Sequence, residues 1–169
     1  IGDRDVWIAN RGGVEADHLT AMDLDPTFVV SVNQVATAAT TDHHPLKDGY
    51  VNDQDTFTDA VEATGTRLTQ SGSVIVNCAA GMSRSTTVSA TAIAAEEGLT
   101  FDEVLEEIRE SLPRAHPHPK LRLNALAYLA NNEDRAEALT KFKGVAADTR
   151  LGRSNDTAIE ELLGFNHTT

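Results

Sequence analysis

The sequence predicts an α/β domain: a central, largely parallel sheet of four to five strands flanked by helices. Short apolar runs rich in β-branched residues alternate, over the first half of the chain, with stretches of helical periodicity, as in strand–helix–strand units. Glycines and Asp-Gly or Gly-Gly pairs punctuate the junctions. The length, 169 residues with 40% apolar and 24% charged side chains, suits one folded domain with its own core and a short extension.

Asp5 to Ala9 is a short apolar run closed by Gly12-Gly13, with Trp7 read as core, and Val14 to Met22 follows as a helix. Phe28 to Val32 is a second strand, richer in the β-branched and aromatic residues that favour strands. Val35 to Pro45 is a polar loop of Thr, Asp and His, and Leu46 to Asn52 carries the Asp48-Gly49 turn pair. A helix begins near Asp53 to Asp55, with Phe57, Val61, Thr64 and Leu68 on one face. Gly72 opens the strand Ser73 to Asn77, which runs straight into Cys78. Ser85 to Glu97 then forms a packed helix stopped by Gly98. Thr100 and Glu103 form a capping box for a helix whose apolar stripe is Phe101, Val104, Leu105, Ile108 and Leu112. Pro113 ends it, His116-Pro117-His118-Pro119 is a stiff loop, and Leu121 to Leu129 is a further helix with Pro119 near its first turn. The periodicity loosens beyond, so residues 1–131 read as the domain and residues 132–169 as a helical, partly mobile appendage.

Composition excludes several function classes. The 26 acidic against 14 basic side chains give a net charge of −12, which disfavours nucleic acid and anionic membrane as partners. A single cysteine rules out an intramolecular disulfide and a cysteine-rich zinc site. No run approaches the roughly 18 apolar residues of a membrane span, and no basic-then-apolar leader opens the chain, so the expected location is cytoplasmic. The chain begins at Ile1, which leaves an upstream segment open. Four lysines among so many carboxylates give a composition like that of proteins from salt-loving archaea. His43, His44, His116 and His118 lack a carboxylate or thiolate at ligand spacing, so no metal is expected.

Chemistry concentrates in Cys78-Ala79-Ala80-Gly81-Met82-Ser83-Arg84-Ser85, between a strand and a helix. Five residues separating Cys78 from Arg84 let the backbone curl into a cup whose amide N–H groups point inward at a helix N-terminus, a nest for an anion. Gly81 supplies the freedom to curl, and Arg84 offers a planar fork for two phosphate oxygens. A thiol at the bottom of such a cup has its pKa lowered from about 8.5 toward the range of about 3.5–7.5 found at helix N-termini and beside arginine.

This loop, with Thr87 beyond it and the Gly72 to Val76 strand before it, resembles the signature of the cysteine-dependent protein tyrosine phosphatases, and of their dual-specificity branch in particular. The resemblance extends from about Asp5 to Leu129 and includes the order of elements. It implies that fold and hydrolysis of a phosphate monoester on a phosphorylated protein substrate, phosphotyrosine first and phosphoserine or phosphothreonine as well, without metal or cofactor. Carried over, it makes Cys78 the nucleophile that forms a phosphocysteine. Arg84, with the amides of Ala79, Ala80, Gly81, Met82 and Ser83 and its own, would bind the phosphoryl oxygens, and Ser85 would donate a hydrogen bond to the sulfur. The family's general acid lies about 30 residues before the cysteine, where Asp48 stands. Asp53 and Asp55 occur where helix caps are expected. One departure is Asn77, where the family usually has His: an amide can donate a hydrogen bond but carries no charge, so a higher Cys78 pKa and a more alkaline optimum are expected. Two other readings stay open: the same chemistry on a phosphoinositide, nucleotide or RNA 5′-phosphate, against which the absence of lysine at Ala79, Ala80 and Met82 argues, and a phosphate-binding module without turnover.

Overall fold

A computed structural model of the chain describes residues 1–21, 23, 26–49 and 52–130. The elements are β1 (Val6–Ala9), a 3₁₀ turn (Gly12–Val14), α1 (Ala16–Ala21), β2 (Phe28–Ser31), β3 (Asp42–His43), α2 (Gln54–Leu68), β4 (Val74–Asn77), α3 (Arg84–Glu97), α4 (Phe101–Ser111) and α5 (Pro119–Ala130). The four strands form one sheet in the order β1-β4-β2-β3, and every pairing is parallel. The appendage expected over residues 132–169 lies outside the described residues.

β4 is hydrogen-bonded on both sides, with Asn77 in register with Ala9 of β1 and Ser31 of β2, and its four residues are all buried. A strand covered on both faces needs no polar alternation, which is why Val74, Ile75 and Val76 read as an unbroken apolar run. Side chains still alternate between faces. Val74, Val76 and Cys78 enter the large core with Phe57, Val61, Val88, Ile93, Leu105 and Ile108, while Ile75 joins the smaller one with Val14, Leu19 and Val29.

Helix α3 is the central pillar, buried from Arg84 to Ala94 and packed against α2, α4 and α5. Its Ala, Ser and Thr side chains let three helices approach closely. Two of its buried hydroxyls are satisfied by the helix itself: Thr87 Oγ1 donates to Ser83 O at 2.7 Å and Thr91 Oγ1 to Thr87 O at 2.7 Å. Gly98, at φ 68°, closes α3 in the left-handed conformation of a helix C-cap. The capping box of α4 is formed, with Thr100 Oγ1 accepting from Glu103 N–H at 3.2 Å and Glu103 Oε2 from Thr100 N–H at 2.8 Å.

Three local expectations are corrected. The stretch read as one helix from Val14 is a 3₁₀ turn followed by six-residue α1, because Glu15 turns extended at φ −76°, ψ 142°. Within the expected polar loop, Asp42 and His43 pair with Val30 and Ser31 as an edge strand; two residues at a half-solvated edge carry no periodicity to read. Trp7 is 43% exposed rather than core. It lies on edge strand β1, on the face that short α1 covers thinly, and its indole N–H donates to Asp5 Oδ1 at 2.9 Å.

Because every pairing is parallel, β1, β4 and β2 end at the same edge. A ligand site is expected there, where loops leave the carboxyl ends of the strands.

Candidate active site

Cys78 follows β4 with its N–H donating to Ala9 O at 3.3 Å, so the thiol starts from a fixed strand end. The chain then curls through 79–83 into α3. Gly81 makes the curl possible: its φ is 68°, and a Cβ there would stand 2.9 Å from the Ala9 carbonyl carbon and the Asn10 nitrogen. The curl turns Gly81 N–H onto Cys78 Sγ at 3.2 Å, and Ser85, the second residue of α3, donates its hydroxyl to the same sulfur at 3.2 Å.

Cys78 is 1% exposed. Burial alone pushes a thiol up, but the Ser85 hydroxyl and the backbone N–H groups of Ser85, Gly81 and Ala80 outweigh it, and the pKa falls below the ordinary thiol value. The loop is built to hold negative charge on sulfur.

Arg84, at the first position of α3, is also buried. One guanidinium nitrogen, Nη1, donates to Leu46 O at 3.1 Å, and Nε has no partner among the described residues. That contact ties the loop to the segment carrying Asp48. Asp48 is exposed, and its Oδ1 accepts from Ser83 Oγ at 2.7 Å. The structure therefore brings Cys78, Ser85, Arg84 and Asp48 to one end of the sheet. Along the curl Ala79 and Ala80 are exposed, Met82 is half-buried, and Gly81 and Ser83 are buried. Asp53 stands apart as the N-cap of α2, accepting from Thr56 N–H at 3.0 Å, and Asp55 lies in the first turn of that helix.

Several supporting residues escaped the sequence reading. Asn52 clamps the Asp48 segment: its Oδ1 accepts from Lys47 N–H at 2.9 Å and its Nδ2 donates to Lys47 O at 2.7 Å and Gly49 O at 2.8 Å. Gln34 Nε2 donates to Leu46 O at 2.6 Å. An Asn beside an Asp-Gly pair is a signal for such a closed turn, whereas nothing local announces Gln34. The loop between α4 and α5 forms a further wall, His116 N–H donating to Met82 O at 2.8 Å and His118 N–H to Ser83 Oγ at 3.0 Å. His43 Nε2 lies 2.9 Å from Asn33 O. Asn77 is fully buried, and neither Nδ2 nor Oδ1 has a partner among the described residues. Strand alternation sets it with Ile75 on the α1 face, opposite the Cys78 side chain. The hydrogen bond its amide was expected to offer is therefore not made.

No protein-family model matches the chain. Two curated relatives share a 51-residue segment with it: Dual specificity protein phosphatase 15 of Rattus norvegicus, 47% identical, and its counterpart of Mus musculus, 45% identical. In each case the match covers 30% of this chain and 22% of the relative, so it spans about a fifth of the length of the relatives. Among solved structures, human DUSP28 aligns with 76% of this chain and 93% of its own at TM-score 0.66 and 17% identity. DUSP15 aligns with 89% of this chain and 94% of its own at TM-score 0.61 and 20% identity. The four-stranded parallel sheet with its flanking helices is the dual-specificity phosphatase fold.

Proposed function

We propose that this chain is a cysteine-dependent phosphatase that hydrolyses phosphate monoesters on protein side chains, phosphotyrosine foremost and phosphoserine or phosphothreonine as well. The observation that carries the reading is a buried thiol with a lowered pKa, held by Ser85 Oγ and Gly81 N–H in the loop whose arginine is also buried. A structural cysteine has no use for two donors aimed at its sulfur, and a buried Arg84 with Nε unpaired suits an anion that would neutralise it.

In this mechanism Cys78 Sγ attacks phosphorus in line with the ester oxygen; the S–P bond forms as the P–O bond breaks. Asp48 gives its proton to the departing oxygen. The amides of residues 79–84 and the Arg84 guanidinium stabilise charge on the three equatorial oxygens. Water, its proton taken by Asp48, then attacks phosphorus, and the Cys78 thiolate leaves with Ser85 hydrogen-bonded to it. Phosphate and the starting enzyme result. No metal or cofactor enters.

The test is hydrolysis of 4-nitrophenyl phosphate in chelator across pH. Wild type is expected to turn over, Cys78→Ser to be inactive, and Asp48→Asn to lose about 10²- to 10⁴-fold, the usual contribution of a general acid, together with the pH limb that depends on it. Wild type that binds phosphate but does not turn over, at low and high salt, overturns the proposal in favour of a binding module.

A further inference from the structure

Ser83 occupies the N-cap of α3, where a serine ordinarily turns its hydroxyl onto the amide two or three residues ahead. Here it makes no capping hydrogen bond. Its hydroxyl instead donates to Asp48 Oδ1 at 2.7 Å and accepts from His118 N–H at 3.0 Å, at a residue only 7% exposed. We propose that Ser83 is the positioning residue for the general acid, joining the Asp48 segment and the α4–α5 loop to the phosphate cup through one oxygen. The inference rests on the phosphatase reading and deepens it.

The donor accounting fixes the direction of these bonds. The His118 amide can only donate, so it occupies a lone pair of Ser83 Oγ and leaves the hydroxyl proton for Asp48. With Oδ1 held as an acceptor, the proton that Asp48 delivers sits on Oδ2, so one side chain fixes both the place of the acid and which of its oxygens is acidic. When that proton leaves, the Ser83 donor is already aimed at the carboxylate formed. Diverting the hydroxyl also keeps it off the first amides of α3, which stay available to negative charge at the cup, the Ser85 amide to the Cys78 sulfur among them. The third loop is itself held, by His116 N–H to Met82 O at 2.8 Å and by Arg109 Nε to Ala115 O at 3.2 Å, so Ser83 is referenced to rigid chain.

Loss of acid positioning has a signature that loss of binding lacks: it penalises poor leaving groups more than good ones, because only the former need the proton. The experiment measures kcat/KM on a series of aryl phosphates from 4-nitrophenyl to phenyl. Relative to wild type, Ser83→Ala is expected to lose about tenfold more on phenyl phosphate than on 4-nitrophenyl phosphate. Ser83→Thr, which keeps the hydroxyl, is expected to retain the wild-type dependence, and Ser83→Ala added to Asp48→Asn is expected to steepen it no further. Ser83→Gly replaces Ser83→Ala in every comparison should the alanine variant not fold, glycine being tolerated at an N-cap. A loss uniform across leaving groups, or one that adds to that of Asp48→Asn, makes Ser83 a merely structural residue and overturns this inference alone. Absence of wild-type turnover overturns the proposed function and this inference together.

Discussion

At the scale of single residues the decisive balance is at Cys78 Sγ, where burial and hydrogen bonding oppose each other and hydrogen bonding wins. Ser85 Oγ is the largest of the lowering influences, and a hydrogen bond to a charged group is worth about 1.5–3 kcal/mol, or about one to two pKa units. Ser85→Ala is therefore expected to move the midpoint of iodoacetamide alkylation upward by about one unit. Because the folded-state pKa is depressed, the stabilisation is complete above the thiol's unfolded pKa and disappears as pH falls through the folded value. Ser85→Ala should thus destabilise the fold by more at pH 9 than at pH 5. An unmoved alkylation midpoint would show that the backbone amides alone hold the thiolate. Cys78 and Arg84 stood out by their spacing because a helix N-terminus sets both locally, whereas Ser85 entered only through the family resemblance. Asn77 was readable as a departure, but its effect was not: strand alternation sends its side chain to the face opposite Cys78.

Elements were legible in proportion to how much local pattern they carry. α4, with its capping box and stripe, and β4, with its apolar run into Cys78, were fixed by propensity and burial together. β3 was not, because a two-residue edge strand exists only through its pairing with β2. Trp7 was misjudged because its neighbours β4 and short α1 are chosen by tertiary packing. Asp48 entered through the family's spacing of acid and cysteine, and the segment that carries it is held partly by a contact that local sequence signals, Asn52 across the turn, and partly by contacts it does not, Gln34 and Arg84 on Leu46 O. Asn52→Ala removes three hydrogen bonds from this segment. They are exposed or half-buried, so the cost in stability should be only about 1 kcal/mol. On the proposed function, turnover should fall by about tenfold or more as Asp48 loses its position, while the Cys78 alkylation midpoint stays put, because Asn52 bonds to Lys47 and Gly49 and not to the Ser85 and Gly81 donors that hold the sulfur. Alkylation shifting in step with turnover would mean that the two halves of the site are one cooperative unit, not an acid segment docked on an independent cup.

Over the whole molecule, a net charge of −12 sets the response to salt. Two effects compete. Among the described residues Arg4, Arg67, Arg109 and Arg122 pair with Glu97 and Glu107, Asp42, Glu106 and Asp102, and salt weakens such pairs. They are partly exposed, however, and pairs of that kind contribute about 0.2–1 kcal/mol each. Against them stands the repulsion among the carboxylates as a whole, 26 acidic side chains against 14 basic ones. Raising the ionic strength from 0.01 to 1 M shortens the screening length from about 30 Å to about 3 Å, which removes the many long-range repulsions and only softens contacts already made. The expected outcome is a thermal midpoint that rises with sodium chloride by about 3 °C or more, the shift that about 1 kcal/mol gives in a domain of this size. Chloride is the salt to use, because sulfate resembles phosphate and would stabilise the fold by occupying the cup. The same screening bears on catalysis: a negative protein repels a negative phosphopeptide, so kcat/KM on an acidic phosphopeptide should climb with salt while that on 4-nitrophenyl phosphate changes little. A midpoint that falls with chloride would show instead that the arginine pairs dominate the electrostatics of the fold and that the carboxylate surplus is too dispersed to matter.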